Sequence, residues 1–159
     1  MSPSALPPPL PKTSAKASAL RALALRRLTE AQLWARLERK GYEHVEIASA
    51  VEACKRAGYL DDKLYAELYV NGARKAVGNA RMVAALIAKG VDREVARDSV
   101  ASAPASESER CEAALCALQR KRPDIGYPSA ARALERLGFP ASTIYAVLRA
   151  RIAVDSMHS

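Results

Sequence analysis

The stretch "LERKGYEHVEIASAV", residues 37–51, contains the pattern from which the fold is predicted. Gly41 stands between two segments whose apolar residues recur at helical spacing, with Leu37 before it and Ile47 after it. A glycine directly after a helical segment is typical of the C′ position, where the backbone reverses with a positive φ. The stretch therefore predicts a helix, a glycine turn and a second helix, and Tyr42 is expected to fill the gap between the two helices.

The same pattern occurs three times along the 159 residues of the chain. Its glycines, Gly41, Gly90 and Gly138, are 49 and 48 residues apart (90 − 41 and 138 − 90). Four apolar columns keep a constant offset from these glycines, and a repeat of this length indicates an array of similar helical units. The columns lie four residues before each glycine and one, six and ten residues after it: Leu37, Leu86 and Leu134; Tyr42, Val91 and Phe139; Ile47, Ala96 and Ile144; Val51, Val100 and Leu148.

One further helix is predicted before each glycine-centred pair. Half of the residues are apolar but only 5% are aromatic, so the core must be built from Ala, Leu, Val and Ile, a composition that we interpret as helical. We therefore predict an all-α fold of three tandem three-helix repeats in an elongated, curved array of right-handed type. The first helices of the three repeats are predicted at 18–28, 61–76 and 105–121.

The chain is predicted to divide into three repeats with a tail at each end. The repeats are residues 18–58, 59–103 and 104–154; residues 1–17 form a disordered proline-rich tail, and residues 155–159 form a short tail.

Paired aspartates begin the second repeat in "GYLDDKLYAELYV", residues 58–70. Two consecutive carboxylates suit a metal site, an acid–base pair or the start of a helix. No histidine or third carboxylate is placed in the sequence to join them. We therefore interpret Asp61 as a helix N-cap and Asp62 as a first-turn residue whose charge suits the helix dipole.

Apolar spacing also predicts which helix faces are buried. In each case the large aliphatic residues at helical spacing are assigned to the core. The predicted stripes are Leu20, Leu23, Ala24 and Leu28 in the first helix and Leu64 and Leu68 in the fourth, with Tyr65 and Tyr69 on a neighbouring stripe of the fourth.

The sequence shows no local arrangement of side chains that supports a nucleophilic catalytic site or a metal site, although spacing alone does not exclude a Ser/His/Asp or Cys/His set. Its histidines are His44 and His158, and its cysteines, Cys54, Cys111 and Cys116, are odd in number and lack metal-ligand spacing. No glycine-rich phosphate loop follows a predicted strand. We therefore expect no enzyme, no cofactor and no metal ion, and we interpret Cys54 as a core thiol.

The cellular compartment is predicted from what the sequence lacks. No apolar segment has the length of a signal-peptide core or a membrane span, and no disulfide framework is expected, so we predict a cytoplasmic protein without a membrane partner. The segment "PPPLPK", residues 7–12, suits either a plain linker or a polyproline ligand.

The net charge is +8, from 25 Lys and Arg against 17 Asp and Glu. Such an excess favours an anionic partner, although isolated basic residues also serve solubility. The basic residues cluster near the predicted unit boundaries, and a continuous basic track along the array would suit phosphates or an acidic protein groove. The clusters are Lys12, Lys16, Arg21, Arg26 and Arg27; Arg36, Arg39 and Lys40; Arg74, Lys75 and Arg81; and Arg120, Lys121 and Arg122.

Several of these segments resemble the RecX family, regulators of the RecA recombinase. The likeness is strong over about residues 18–100 and looser in the third repeat. The residues that carry it are "GYLDD" at 58–62, Arg74, Gly78 and "KGV" at 89–91, together with Leu33, Leu37, Lys40, Gly41 and Tyr42 of the first repeat.

The resemblance implies a small, non-catalytic protein that lies in the groove of a RecA filament. Such binding would inhibit the ATPase, strand-exchange and coprotease activities of RecA, and so modulate recombination, DNA repair and the SOS response. The candidate contact residues are chosen by their charge and their position beside the family motifs. They are Arg74, Lys75 and Arg81 first, and then Arg26, Arg27, Arg39 and Lys40.

Two other functions remain open on the sequence. The first is a general module for single- or double-stranded DNA, built from helix-turn-helix-like units. It would bind without sequence preference, because no helix is rich in base-reading Arg, Asn and Gln. The second is a purely structural helical scaffold. A monomer is expected in each case, because the repeats supply their own packing neighbours.

Overall fold

The computed structural model describes residues 13–72 and 76–158, and within these ranges the chain is helical and contains no strand. None of the helices described there combines the length and the apolar character that a membrane-crossing segment needs. In chain order the helices are α1 (Ala15–Leu25), α2 (Glu30–Arg39), α3 (His44–Arg56), α4 (Asp62–Asn71), α5 (Asn79–Ala88), α6 (Arg93–Ala101), α7 (Glu107–Lys121), α8 (Tyr127–Arg136) and α9 (Ala141–Met157).

The helices form three successive units: unit 1 (α1–α3), unit 2 (α4–α6) and unit 3 (α7–α9). In each unit the third helix packs against both the first and the second. Each unit has a hydrophobic core of its own, drawn from residues 15–60, 66–100 and 111–148. The predicted all-α fold of three tandem three-helix repeats is confirmed.

Each second helix ends in the predicted glycine turn. Gly41, Gly90 and Gly138 have φ angles of 89°, 90° and 87°. The amide after each glycine donates to a carbonyl five residues earlier, as Val91 does to Leu86 at 3.1 Å, so the helix C-terminus is satisfied by a Schellman-type pair of bonds. Every residue of the four predicted columns is buried, with at most 6% of its surface exposed. The predicted repeat is therefore confirmed.

The second helices also begin at equivalent positions. Their N-caps, Thr29, Gly78 and Gly126, each lie twelve residues before the turn glycine, and each helix contains ten residues. Thr29 and Gln32 form a reciprocal capping box at the start of α2. Asp61 caps α4 through its side chain, as predicted.

The buried face of α1 differs from the prediction. Ala15, Ser18, Ala19 and Ala22 face the core of unit 1 with no more than 4% exposure, whereas Leu20 is 39% exposed. Small residues allow the axis of α1 to approach α3 closely, so the alanine face is buried. Of the predicted stripe, Leu28 is buried as expected, with 2% exposure, and Leu23 packs partly buried against the core, whereas Leu20 and Ala24 are exposed. Spacing alone could not separate these two apolar faces.

The predicted core face of α4 is wrong. Leu64 and Leu68 are 36% and 47% exposed, and the buried positions are Ala66 and Val70. Helix α4 packs against α6, and Ala66 and Val70 belong to the core between them. The two leucines lie outside that core, while Tyr65 and Tyr69 pack partly buried against it.

Helix α1 begins three residues earlier than predicted. The Ser14 hydroxyl accepts from the Ala17 amide at 3.1 Å and caps the helix. The Tyr42 hydroxyl donates to the carbonyl of Thr13 at 2.6 Å and so ties the start of α1 to the first glycine turn. Residues 15–17 therefore belong to unit 1 rather than to the predicted tail, of which residues 1–12 lie outside the described residues.

Two helix ends also differ from the predicted limits. Helix α4 ends at Asn71 rather than at residue 76, because Gly72, a poor helix former, occupies its C-cap. Helix α9 continues to Met157, beyond the predicted limit of the third repeat at residue 154. The division of the chain at 58 and 103 stays a prediction.

Candidate functional site

The second helices of the three units stack end to end. At the first junction, between α2 and α5, the fully buried Thr29 hydroxyl donates to the Lys89 carbonyl at 2.6 Å. At the second junction, between α5 and α8, the Gly78 amide donates to the Leu137 carbonyl at 2.9 Å. In both cases the N-terminus of one second helix meets the C-terminus of the next, a contact between ends of opposite partial charge.

A carboxylate from the following unit completes each junction. Asp62 accepts from the Glu30 amide at 2.8 Å, and Glu107 accepts from the Asn79 amide at 2.7 Å. Each acid is the first residue of α4 or α7, and each amide belongs to the first residue of α2 or α5, where no intrahelical partner exists. Burial raises the pKa of Asp62, and the hydrogen bond from the Glu30 amide opposes this effect.

The junctions bring backbones too close for side chains at the glycines. A Cβ on Gly90 would overlap the Cβ of Ala31, and a Cβ on Gly138 would lie 2.7 Å from the Cβ of Arg81. A Cβ on Gly78 would overlap the carbonyl of Gly138. These glycines therefore serve the contact between units as well as the local backbone conformation.

Two arginines lie at the second junction. Arg81 donates to the Arg136 carbonyl at 2.6 Å and so caps the C-terminus of α8. Arg110 donates to the Val77 carbonyl at 3.1 Å and also to the side-chain oxygen of Asn79. Arg81, which the sequence suggested as a partner contact, therefore also has a structural bond, and its contact with a partner stays a prediction.

The other predicted contact residues lie at both ends of α2. Arg26 and Arg27 precede its N-terminus beside the first junction, and Arg39 and Lys40 lie at its C-terminus. Because α2 contains ten residues, the two pairs are separated by about 15 Å along its axis. The remaining predicted contacts, Arg74 and Lys75, lie outside the described residues.

The end-to-end stacking places basic residues at successive helix ends, at steps of about one ten-residue helix, or about 15 Å. Lys89 and Arg136 belong to this arrangement and were missed from the sequence. Their position in the repeat could have identified them. Lys89 lies one residue before a turn glycine, as Lys40 does, and Arg136 lies two residues before one, as Arg39 does. We call the set the basic row; it consists of Arg39 and Lys40, then Arg26, Arg27 and Lys89, then Arg81 and Arg136, and then Arg120, Lys121 and Arg122.

The basic row is not neutralised by the chain itself. No residue of the row forms an ion pair with another residue in the described ranges. Two of the nearby acids have other partners: Glu38 lies 2.9 Å from His44, and Glu30 lies 3.2 Å from Lys55. The charge of the row is therefore free to attract an anionic partner.

Two of the three cysteines are shielded in the cores of their units, and the third lies on the surface. Cys54 and Cys111 are buried, which confirms the prediction that Cys54 is a core thiol, and Cys116 is exposed. Burial raises the pKa of Cys111 to about 11, and the charges of Glu107 and Glu112 act in the same direction. Within the part of the chain that the structure describes, no group of three or more His, Cys, Asp or Glu is placed to hold a metal ion.

The fold and the basic row define a class of protein: a tandem array of three-helix units that presents basic residues at its successive helix ends. The family model described as "RecX, first three-helix domain" matches residues 15–54. The regulatory protein RecX of Thermus thermophilus is 34% identical over 128 residues, which cover 80% of this chain and 85% of that protein. The RecX protein of Mycobacterium leprae is 33% identical over 146 residues, covering 86% and 84%.

The chain therefore belongs to the RecX family of regulatory proteins, and the resemblance noted in the sequence is confirmed. The crystal structure of RecX from Lactobacillus salivarius has the same fold. It aligns with a TM-score of 0.76 at 18% identity and covers 85% of this chain and 92% of that one.

Proposed function

We propose that this protein is a non-catalytic regulator that binds the RecA filament in the cytoplasm and inhibits its ATPase, strand-exchange and coprotease activities. Membership of the RecX family and the basic row support the proposal. Through this inhibition the protein would modulate recombination, DNA repair and the SOS response. It would act as a monomer, because its units already stack on one another.

The observation that carries the proposal is the spacing of the basic row. A filament repeats the same anionic surface from subunit to subunit, so a partner with charge at regular intervals can contact several subunits at once. Such contacts add within one molecule, and their combined affinity exceeds that of any single contact. A ligand changes a filament only if it binds one filament state better than another, so regulation requires that the row fits the inhibited state preferentially.

The test is the ATP hydrolysis of RecA from the same organism on single-stranded DNA, measured with increasing amounts of this protein. We expect inhibition at amounts well below one molecule per RecA subunit, because one bound molecule would affect a stretch of filament. Unchanged hydrolysis at stoichiometric amounts of this protein would contradict the proposal.

A second function, general DNA binding, is favoured by the net charge of +8 and by the unpaired charge of the row. It predicts retention of bare single- or double-stranded DNA that weakens steeply as salt is raised, since counterion release would drive the binding. The same retention on unrelated DNA sequences is expected. A sequence-specific footprint would contradict it.

A further inference from the structure

A groove on the described surface lies between the C-terminal half of α1 and the link between α3 and α4. It has a volume of about 570 Å³ and is open to solvent. Its walls combine aliphatic, aromatic and basic side chains. The residues that matter here are Leu20, Leu23, Ala24, Arg26, Arg27 and Tyr59.

The apolar wall consists of residues that the fold leaves wholly or partly exposed. Helix α1 packs on α3 through its alanine face. Leu20 and Ala24 are exposed beside that face, and Leu23, between them, packs partly buried against the core of unit 1. Tyr59, which also lines the groove, is 58% exposed. Large apolar side chains gathered at one place on the surface mark a binding site more often than chance exposure does.

The groove is also positively charged. Arg26 and Arg27 line it, no acid does, and neither arginine forms an ion pair with another residue of ranges 13–72 and 76–158. The nearest acids along the chain are engaged, since Glu30 pairs with Lys55 and Asp62 accepts from the Glu30 amide. An occupant must therefore supply both apolar surface and negative charge.

We propose that this groove binds an acidic peptide segment that carries one bulky apolar side chain. The apolar side chain lies against Leu20, Leu23 and Tyr59, and flanking carboxylates pair with Arg26 and Arg27. The volume falls in the range of sites that take such anchors. An arginine fork binds a carboxylate with two parallel hydrogen bonds, so both the charge and the geometry suit the pairing.

Single-stranded nucleic acid fits the groove less well. Proteins that bind single strands stack successive bases on several aromatic side chains. Here Tyr59 is the one aromatic residue of the lining, and the other side chains of the lining are aliphatic or basic. An aliphatic wall buries an apolar side chain but offers a second base nothing to stack on.

The proposal rests on the proposed function only for the identity of the protein that supplies the peptide. In that function a segment of the filament protein would occupy the groove, which lies beside the first junction of the basic row. The peptide chemistry itself is tested without RecA, so the two proposals fail separately.

The experiment measures fluorescence anisotropy of a fluorescein-labelled peptide in which glutamates flank a single tryptophan. Two control peptides replace the tryptophan by glycine or the glutamates by glutamine. The protein variants are Arg26→Gln with Arg27→Gln, and Leu20→Asn. A matched control, Arg97→Gln with Arg149→Gln, removes equal charge from the exposed middle of α6 and α9. Thermal unfolding curves check that every variant is folded.

We expect the double variant and Leu20→Asn each to bind the peptide about tenfold more weakly, with the matched control like the wild type. Both control peptides should bind more weakly to the wild type. Equal loss in the matched control, or equal binding of all three peptides, would overturn the proposal. Binding of labelled oligothymidine that is lost in the Arg26/Arg27 variant, with no peptide binding, would assign the groove to nucleic acid and overturn it too. If the wild-type protein does not inhibit RecA ATP hydrolysis, that result contradicts the proposed function and leaves the peptide proposal unaffected.

Discussion

Gly58 and Gly90 have similar backbone conformations in different surroundings. Their φ angles are 78° and 90°, so any other residue would be strained at either position. A Cβ on Gly58 would meet nothing within 4 Å, whereas one on Gly90 would overlap Ala31 across the first junction. Alanine substitutions at the two positions therefore distinguish the energetic cost of backbone strain from the cost of a clash between units.

We predict that Gly58→Ala lowers the free energy of unfolding by about 1 kcal/mol, the cost of the left-handed conformation. Gly90→Ala should lower the free energy of unfolding by the same amount plus about 1–3 kcal/mol, because its methyl group also overpacks the first junction. Urea unfolding followed by circular dichroism measures both. Equal costs would mean that the first junction is not closely packed in solution.

Asp62 is a residue whose protonation should report on the first junction. Burial raises its pKa above the ordinary value of 3.8, so the folded protein holds the proton more tightly than the unfolded chain. The resulting stabilisation is fully present below the ordinary pKa and is lost as the pH rises through the raised pKa. Asp62→Asn keeps an oxygen that accepts from the Glu30 amide and removes this dependence.

We therefore predict that wild-type stability, measured relative to Asp62→Asn, increases as the pH falls towards 3.8. Asp62→Ala, which leaves the Glu30 amide without its acceptor, should cost about 1 kcal/mol at neutral pH. Urea unfolding across the pH range measures both effects. A wild type that instead loses stability relative to Asp62→Asn on acidification would show that the ionised carboxylate is the favoured form.

At the scale of the helices, the sequence predicted what depends on neighbouring residues. The turn at Gly41 and the cap at Asp61 each depend on bonds within a few residues, and both predictions were confirmed. The buried face of α4 and most of that of α1 were predicted incorrectly, because a helix with two apolar faces is oriented by its packing partner. For α4 that partner is α6, which helical spacing within α4 does not identify.

Helix α7 carries two thiols that are expected to react with thiol reagents at different rates. Cys111 is buried with a pKa raised to about 11, whereas Cys116 is exposed. We predict that a thiol-specific colorimetric reagent at mildly alkaline pH labels Cys116 rapidly, and labels Cys54 and Cys111 only after denaturation. Mass spectrometry of labelled peptides identifies the sites. Rapid labelling of Cys111 in the native protein would mean that unit 3 opens readily.

Arg110 links α7 to the start of α5 through several bonds from one guanidinium. A lysine offers a single ammonium group and cannot reproduce that fork. We predict that Arg110→Lys and Arg110→Ala both lower the free energy of unfolding by about 1–2 kcal/mol and speed amide exchange at Gly78 and Asn79. The exposed Arg97 supplies the control, since Arg97→Lys should change neither quantity. If amide exchange at Gly78 and Asn79 is as slow in both Arg110 variants as in the wild type, Arg110 does not stabilise the second junction.

At the scale of the whole molecule, the basic clusters could be predicted but their order in space could not. The arrangement depends on Thr29 meeting Lys89, sixty residues away, and on Gly78 meeting Leu137. These bonds join backbone groups and short side chains that occur at many helix ends, so the sequence does not identify which ends meet. Once the ends are known, Arg39–Lys40 and Arg26–Arg27 become successive positions of one row rather than one continuous run.

The central claim is that the basic row contacts the RecA filament. The most direct measurement is the concentration for half-inhibition of RecA ATP hydrolysis, compared among three proteins. They are the wild type, a row variant (Arg39→Gln with Lys40→Gln) and a matched control (Arg97→Gln with Arg149→Gln), all with equal thermal stability. We predict that the row variant needs about tenfold more protein, and that the control behaves as the wild type. Row and control variants with the same half-inhibition concentration would contradict the claim.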